Sequence, residues 1–156
     1  MRWHPDLTVA AIVERDGRFL LVEERIEGSS VLNQPAGHVE DGEALLAAVC
    51  RETREETAWS FTPEWLLGVY QWRNPRTRRT TLRFAFAGSV GAHDAAQPLD
   101  SPVIGTHWLS AAQVQAQAAR LRSPLVLRCI EDYLAGRRYA LAAINDVADA
   151  VAALRA

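Results

Sequence analysis

The sequence predicts a mixed α/β fold in which helices lie on a central sheet, and three observations carry that expectation. Apolar, partly β-branched runs come in pairs around turn signals, as at residues 7–13 and 19–22 on either side of Asp16-Gly17. Between two such pairs lies a stretch free of Gly and Pro, residues 43–59, that suits a helix. After the last strand signal, Ser110 and Ser123 each stand where a helix N-cap is expected.

Taken in order, residues 7–13 and 19–22 form an antiparallel hairpin. Residues 26–30, Ile-Glu-Gly-Ser-Ser, form a loop, either a plain surface turn or a substrate lid. Residues 31–34 form a short extended piece, because Pro35 disfavours helix in the residue before it, and the chain is delivered to Gly37. Past the central helix, residues 63–71 read as a strand and 80–87 as its hairpin partner. The loop between them, 73–79, holds four arginines, Arg73, Arg76, Arg78 and Arg79, which suit a solvated hairpin tip or the steering of a phosphorylated substrate. Residues 91–102 form a polar connection, in which Asp100 is the candidate acidic site residue outside the central helix, and 103–109 resume as a strand. Ser110 caps a helix over 111–120, and Ser123 with Pro124 at the first helical position starts another that stops at Gly136. Finally, Leu141, Ile144, Val147, Ala148, Val151 and Leu154 recur at helical spacing, so a C-terminal helix over about 140–156 docks on its own domain or on a second copy.

The chemistry concentrates in residues 37–59. On a helix, positions three and four apart share a face, so Glu52, Glu55 and Glu56 present three carboxylates together. Like charges so placed repel by a few tenths of a kcal/mol per pair, at about 0.2–0.5 kcal/mol. Two readings follow: a solvated acidic face, or carboxylates around a hard divalent cation such as Mg²⁺, with Mn²⁺ as substitute. Leu46, Val49, Cys50, Thr53 and Thr57 cluster on the opposite side, the width of a core-facing stripe. Glu43 and Arg51 are placed to pair across the loop-to-helix joint, and Gly37 and Gly42 allow backbone to approach a ligand closely.

Those residues resemble the box of the Nudix family, with Gly37, Glu43, Arg51, Glu52, Glu55, Glu56 and Trp59 in register. Two positions depart from it. Thr53 replaces an aliphatic residue, and Ala58 replaces a glycine at the helix exit, so the exit either avoids positive φ or carries strain. Residues 33–38 (Asn-Gln-Pro-Ala-Gly-His), 70–72 (Tyr-Gln-Trp) and 121–126 (Leu-Arg-Ser-Pro-Leu-Val) are similar to a phosphatase branch of the same family. The resemblance implies an α/β/α sandwich with Mg²⁺-dependent hydrolysis. The implied substrates are nucleoside tri- and diphosphates, hydroxymethylpyrimidine pyrophosphate and thiamine pyrophosphate. It implies Glu52, Glu55 and Glu56 as metal ligands or base, the Gly37 carbonyl as a further ligand, and Arg51 with Glu43 as orienting residues. For the organic end of a substrate, Asn33, Gln34 and Trp72 supply amides and a stacking face, and His38 stands near the expected phosphates. For His38 a structural turn residue, and for Trp72 a core residue, are the alternatives.

Composition sets the outer limits. The chain has 156 residues, the size of one domain spanning 1–156, with 49% hydrophobic and 23% charged residues. A net charge of −2 gives no global attraction to nucleic acid polymers or acidic membranes. No apolar run approaches the ~20 residues that span a bilayer, and the N-terminal residues lack an apolar signal core. Cys50 and Cys129 have no metal-ligand spacing and read as buried thiols of a reducing cytoplasm. A monomer is favoured over a homodimer, and the partner is a small phosphoanhydride. Within the resemblance, a general pyrophosphohydrolase of nucleoside diphosphate derivatives is the alternative activity. A non-catalytic nucleotide-sensing module is the competing class; all box glutamates are present, which favours the hydrolase.

Overall fold

A computed structural model describes residues 2–147. Strands β1 (Asp6–Arg15) and β2 (Arg18–Ile26) form the first hairpin. Its turn residues Asp16 and Gly17 have φ of 51° and 75°. Positive φ at both central positions is what a type I′ turn demands, and Asp-Gly adopts it at little cost. There follow β3 (Ser29–Asn33), β4 (Ala36–His38), α1 (Leu45–Thr57), β5 (Trp59–Arg73), β6 (Thr80–His93) and β7 (Val103–Ser110). The described chain closes with α2 (Ala111–Ala116) and α3 (Leu125–Leu134).

The sheet is mixed. β1 runs parallel to β6 and antiparallel to β4, while β6 and β5 form a long antiparallel hairpin. β2 leaves β1 to pair antiparallel with both β3 and β7. Side chains of a strand alternate between faces, so β1 serves two cores. Val9, Ala11 and Val13 pack with Ala48 and Val49 of α1 and Phe86 of β6. Ala10 and Ile12 pack instead with Val126, Cys129 and Ile130 of α3. Helices thus cover both faces, the α/β/α sandwich that the resemblance implies.

The ends of the helices follow local rules. Ser110 Oγ accepts the Gln113 N–H at 3.2 Å while the Gln113 side chain accepts the Ser110 N–H at 2.8 Å, a reciprocal capping box. The helix it starts is shorter than expected. α2 ends at Ala116, and a separate 3₁₀ turn, Ala118–Arg120, completes the segment. At α3, Pro124 already has helical φ and ψ of −63° and −15°. Ser123 Oγ accepts the Leu125 N–H at 3.3 Å. Gly136 stops the segment at φ 82°.

α1 leaves through Ala58, whose φ of 59° and ψ of 12° are left-handed. Of the two exits open to the sequence, the chain takes the strained one, and the Ala58 N–H donates to Arg54 O at 2.8 Å to close the turn. On the packed face of α1, Thr53 and Thr57 are buried. Their hydroxyls donate to the carbonyls of Val49 and Thr53, so neither is left unsatisfied.

The apolar stripe near the C-terminus needs a correction. Leu141–Ala143 form a 3₁₀ turn rather than the start of an α-helix, and residues 145–147 have no regular structure. Leu141 and Ile144 both pack against the α1-side core. A 3₁₀ turn places side chains three apart on one line, which is why the same spacing that suits a helix also suits this single turn. Ala148, Val151 and Leu154 lie outside the described residues.

Candidate active site

The strand registers define a floor. Across β4, β1, β6 and β5, His38, Thr8, Arg83 and Tyr70 form one row of partners. The next row toward the open end is Asp6, Thr81 and Trp72, and the row behind is Ala36, Ala10, Ala85 and Gly68. By alternation all these side chains belong to the face that α3 covers at Ala10 and Ala85. Beyond the start of α3 the face is open. A cleft of about 630 Å³ fills the space, lined by Thr8, Thr81, Arg83 and Trp72 below and by Ser123, Leu125 and Arg122 beside it.

The acidic wall comes from α1. Glu52 and Glu56 line the same cleft, with Ala36, Gly37 and His38 of β4 next to them. A Cβ at Gly37 would overlap the Glu52 carboxylate, so any side chain there would push that carboxylate from its place. Glu56 Oε2 accepts the Ala36 N–H at 2.9 Å. Burial pushes the Glu56 carboxyl up to about 8; the Ala36 N–H lowers it, and the charges of Glu24, Glu52 and Glu55 raise it further. Glu52 is also raised, first by burial.

Arg51 ties the helix to the loop before it. Its Nε and Nη2 donate to the two oxygens of Glu43 at 2.7 and 2.9 Å, and Nη2 also reaches the His38 carbonyl at 3.0 Å. Nη1 donates to Glu52 at 2.9 Å and Glu55 at 3.0 Å. The bidentate pair with Arg51 holds the Glu43 carboxyl below its ordinary range. The Arg51–Glu43 brace expected at the joint is therefore formed. Among the described residues, no three His, Cys, Asp or Glu side chains converge as a metal cage. Glu52 and Glu55 are instead held by one guanidinium nitrogen.

The donor set nonetheless suits a hard divalent cation. Glu56 has one N–H donor for a buried carboxyl, and Glu52 lies flush on the Gly37 backbone, so oxygen ligands of high charge face a cleft open to water and phosphate. Glu52, Glu55, Glu56 and the Gly37 carbonyl are the groups able to contribute.

Several site residues carry little local sequence signal. Glu24, from β2, is buried on the cleft wall, where it accepts from Asn33 Nδ2 at 3.3 Å and Arg122 Nη1 at 3.2 Å. Arg83, from β6, is 5% exposed. Arg79, in the arginine-rich loop, reaches the cleft rim and pairs with Asp6, while Arg76 and Arg78 are exposed. Asp100, expected as the acidic residue outside α1, is exposed; its N–H donates to the Glu55 carbonyl at 3.0 Å, and Glu24 occupies the cleft instead.

Asn33 and Gln34 also differ from expectation. Gln34 is 1% exposed, with Nε2 on the Val126 carbonyl at 2.8 Å and Oε1 accepting from Arg83 Nη1 at 3.1 Å. Asn33 reaches the cleft wall, but its amide is divided between Arg83 Nη2 at 3.4 Å and Glu24. Both amides are taken by the protein itself. Trp72 is half-buried on the floor and His38 is exposed at the rim, each lining the cleft.

Comparison with known proteins gives the family. Residues 4–129 match the model of the NUDIX domain. The chain is 43% identical over 142 residues to the phosphatase NudJ of Escherichia coli strain K12, covering 91% of this chain and 92% of that one. Its counterpart in Shigella flexneri is equally similar, 43% over 142 residues with the same coverage. Among solved structures, a NUDIX hydrolase from Nitrosomonas europaea superposes with a TM-score of 0.90 at 45% identity, covering 92% of this chain and 97% of that one. The chain belongs to the Nudix family and is a hydrolase of phosphorus-containing acid anhydrides.

Proposed function

We propose that the protein is a phosphatase of phosphoanhydride chains that removes the terminal phosphoryl group and releases orthophosphate. Its substrates in this reading are nucleoside tri- and diphosphates together with thiamine-related pyrophosphates, namely hydroxymethylpyrimidine pyrophosphate and thiamine pyrophosphate. The observation that carries it is one cleft lined both by Glu52 and Glu56 of α1 and by three arginines from elsewhere in the chain, of which Arg79 pairs with Asp6, Arg122 pairs with Glu24 and Arg83 has no carboxylate partner among the described residues. Such a cleft holds a polyanion between a cation on the acidic wall and fixed positive charge opposite. The similarity to the phosphatase NudJ supports the choice of terminal attack.

Glu52, Glu55 and Glu56, with the Gly37 carbonyl, hold the divalent cation in this reading, Mg²⁺ or Mn²⁺ in its place. Bound there, it neutralises phosphate charge and activates water. Arg51, fixed by Glu43, positions Glu52 and Glu55 through Nη1. Trp72 gives the organic end a flat apolar face, and His38 stands at the rim where phosphates enter. In this reading the protein acts in the cytoplasm, as a monomer in preference to a homodimer. Separately, no helix of the described residues is long and apolar enough to cross a membrane.

Product analysis tests the reading. With Mg²⁺, a nucleoside triphosphate gives orthophosphate and the diphosphate first, and hydroxymethylpyrimidine pyrophosphate gives its monophosphate. Inorganic pyrophosphate as the first product of the triphosphate overturns terminal attack.

A further inference from the structure

Among the described residues, two buried side-chain polar atoms find no hydrogen-bond partner, Thr8 Oγ1 and Arg83 Nε. They are not scattered. Thr8 and Arg83 are direct partners in the parallel β1–β6 ladder, and both line the floor of the cleft. Both atoms are shielded from solvent while their residues line the cleft, so its floor holds two unsatisfied polar groups at one register position, which a ligand bound there is placed to complete.

The character of Arg83 says what enters. Its guanidinium is nine-tenths or more buried, and its hydrogen bonds go to neutral amide oxygens, Gln34 Oε1 and Asn33 Oδ1. No carboxylate of the described residues lies within ion-pair distance of it; Glu24 and Glu56 act on it only through longer-range charge. The Cys129 thiol adds a weak sulfur contact. A buried cation without a paired anion is costly, so such a group is kept where an anion arrives to complete it. The two amides fix the planar fork so that its position does not depend on the ligand.

We infer that Arg83 and Thr8 form an oxyanion subsite on the cleft floor, which takes a non-bridging oxygen of the substrate's phosphate chain from the side opposite the α1 carboxylates. The guanidinium gives charge-assisted N–H donors and Thr8 Oγ1 one O–H donor. Asn33 and Gln34 are positioning residues, holding Arg83 by their carbonyl oxygens. The inference deepens the phosphatase reading and rests on its placement of phosphates in this cleft, but it concerns binding and is read without turnover.

The probe is methylenediphosphonate, a P–C–P analogue that cannot be hydrolysed, titrated calorimetrically into the full chain with Mg²⁺ present. Arg83→Met is expected to weaken binding at least tenfold and Thr8→Val severalfold, with Arg83→Lys between wild type and Arg83→Met because it restores charge without the fork. Thr8→Val keeps the shape of the side chain and touches neither amide, so it reports on the subsite even where Arg83→Met fails to fold. Binding of the diphosphonate by folded Thr8→Val and Arg83→Lys within twofold of wild type overturns the subsite. So does the absence of binding to wild type. Weakened binding of a nucleoside alone, with diphosphonate binding intact, assigns the floor to the organic end and equally overturns it. Orthophosphate release from a triphosphate is scored separately, so the phosphatase reading survives or fails on its own products.

Discussion

Glu56 makes the acidic wall measurable in the absence of substrate. The residue is 9% exposed, and its carboxyl accepts one N–H and is pushed up from 4.5 to about 8, chiefly by burial. Because the folded value is the higher one, the unfolded chain releases this proton first as pH rises. Stability from this group is therefore full below about pH 4.5 and is lost progressively up to about pH 8. One proton changes stability by about 1.4 kcal/mol per pH unit, so from pH 5 to pH 8 the loss is on the order of 3–4 kcal/mol. Glu56→Gln removes the titration while its amide oxygen still accepts the Ala36 N–H. Urea unfolding of both proteins in chelator, at pH 5 and pH 8, isolates the term as the difference of differences. Wild type should lose that much more stability than Glu56→Gln, and saturating Mg²⁺ should flatten the wild-type slope by favouring the ionised carboxyl. Equal pH dependence of the two metal-free proteins would refute the buried, proton-holding Glu56.

Other consequences follow from single residues. Ala58→Gly relieves a left-handed alanine at some cost in chain entropy and a buried methyl group, and should raise stability by about 0.5–1 kcal/mol, or roughly 1–4 °C in Tm. An unchanged or lower midpoint in thermal unfolding contradicts the strain at that exit. Gly37→Ala places a methyl group on the Glu52 carboxylate and should lower turnover at least tenfold in a Mg²⁺-supported phosphate-release assay, with the fold retained by circular dichroism. Wild-type turnover from that variant denies Glu52 its seat on the Gly37 backbone. Cys129 is fully buried and its thiol is pushed up to about 11 by burial, so it should resist iodoacetamide at pH 8 until the protein unfolds. Rapid labelling of Cys129 in the native protein, located by peptide mass, contradicts its burial.

What the sequence reveals is what depends on neighbours along the chain. Asp16-Gly17, the Ser110 cap and the Gly136 stop each obey rules spanning a few residues, and the structure keeps all three. The Glu43–Arg51 brace is legible for the same reason, eight residues apart across one joint. Glu24, Arg83 and Arg122 are different, since each reaches the cleft from a separate element and only strand pairing brings them together. A faint signal existed for Arg83: the lone charge in the otherwise uncharged run 80–87, with Leu82 and Phe84 beside it, marks a strand residue that does not face ordinary core. Asn33 and Gln34 suit a ligand by residue type alone, and nothing local shows that their amides serve Arg83 and Glu24. Leu141 and Ile144 fit both a helix and a 3₁₀ turn, because a spacing of three is shared by the two.

The most direct test is steady-state phosphate release with saturating Mg²⁺ by wild type and by Glu52→Gln, Glu55→Gln and Glu56→Gln, each checked for fold by its denaturation midpoint. If the α1 carboxylates carry the hydrolysis, each variant loses orders of magnitude in kcat while its midpoint at low pH stays level, since Glu56 is already protonated there and changes at Glu52 and Glu55 relieve repulsion on an acidic face. Near-wild-type turnover by all three folded variants would contradict the assignment of the reaction to this face.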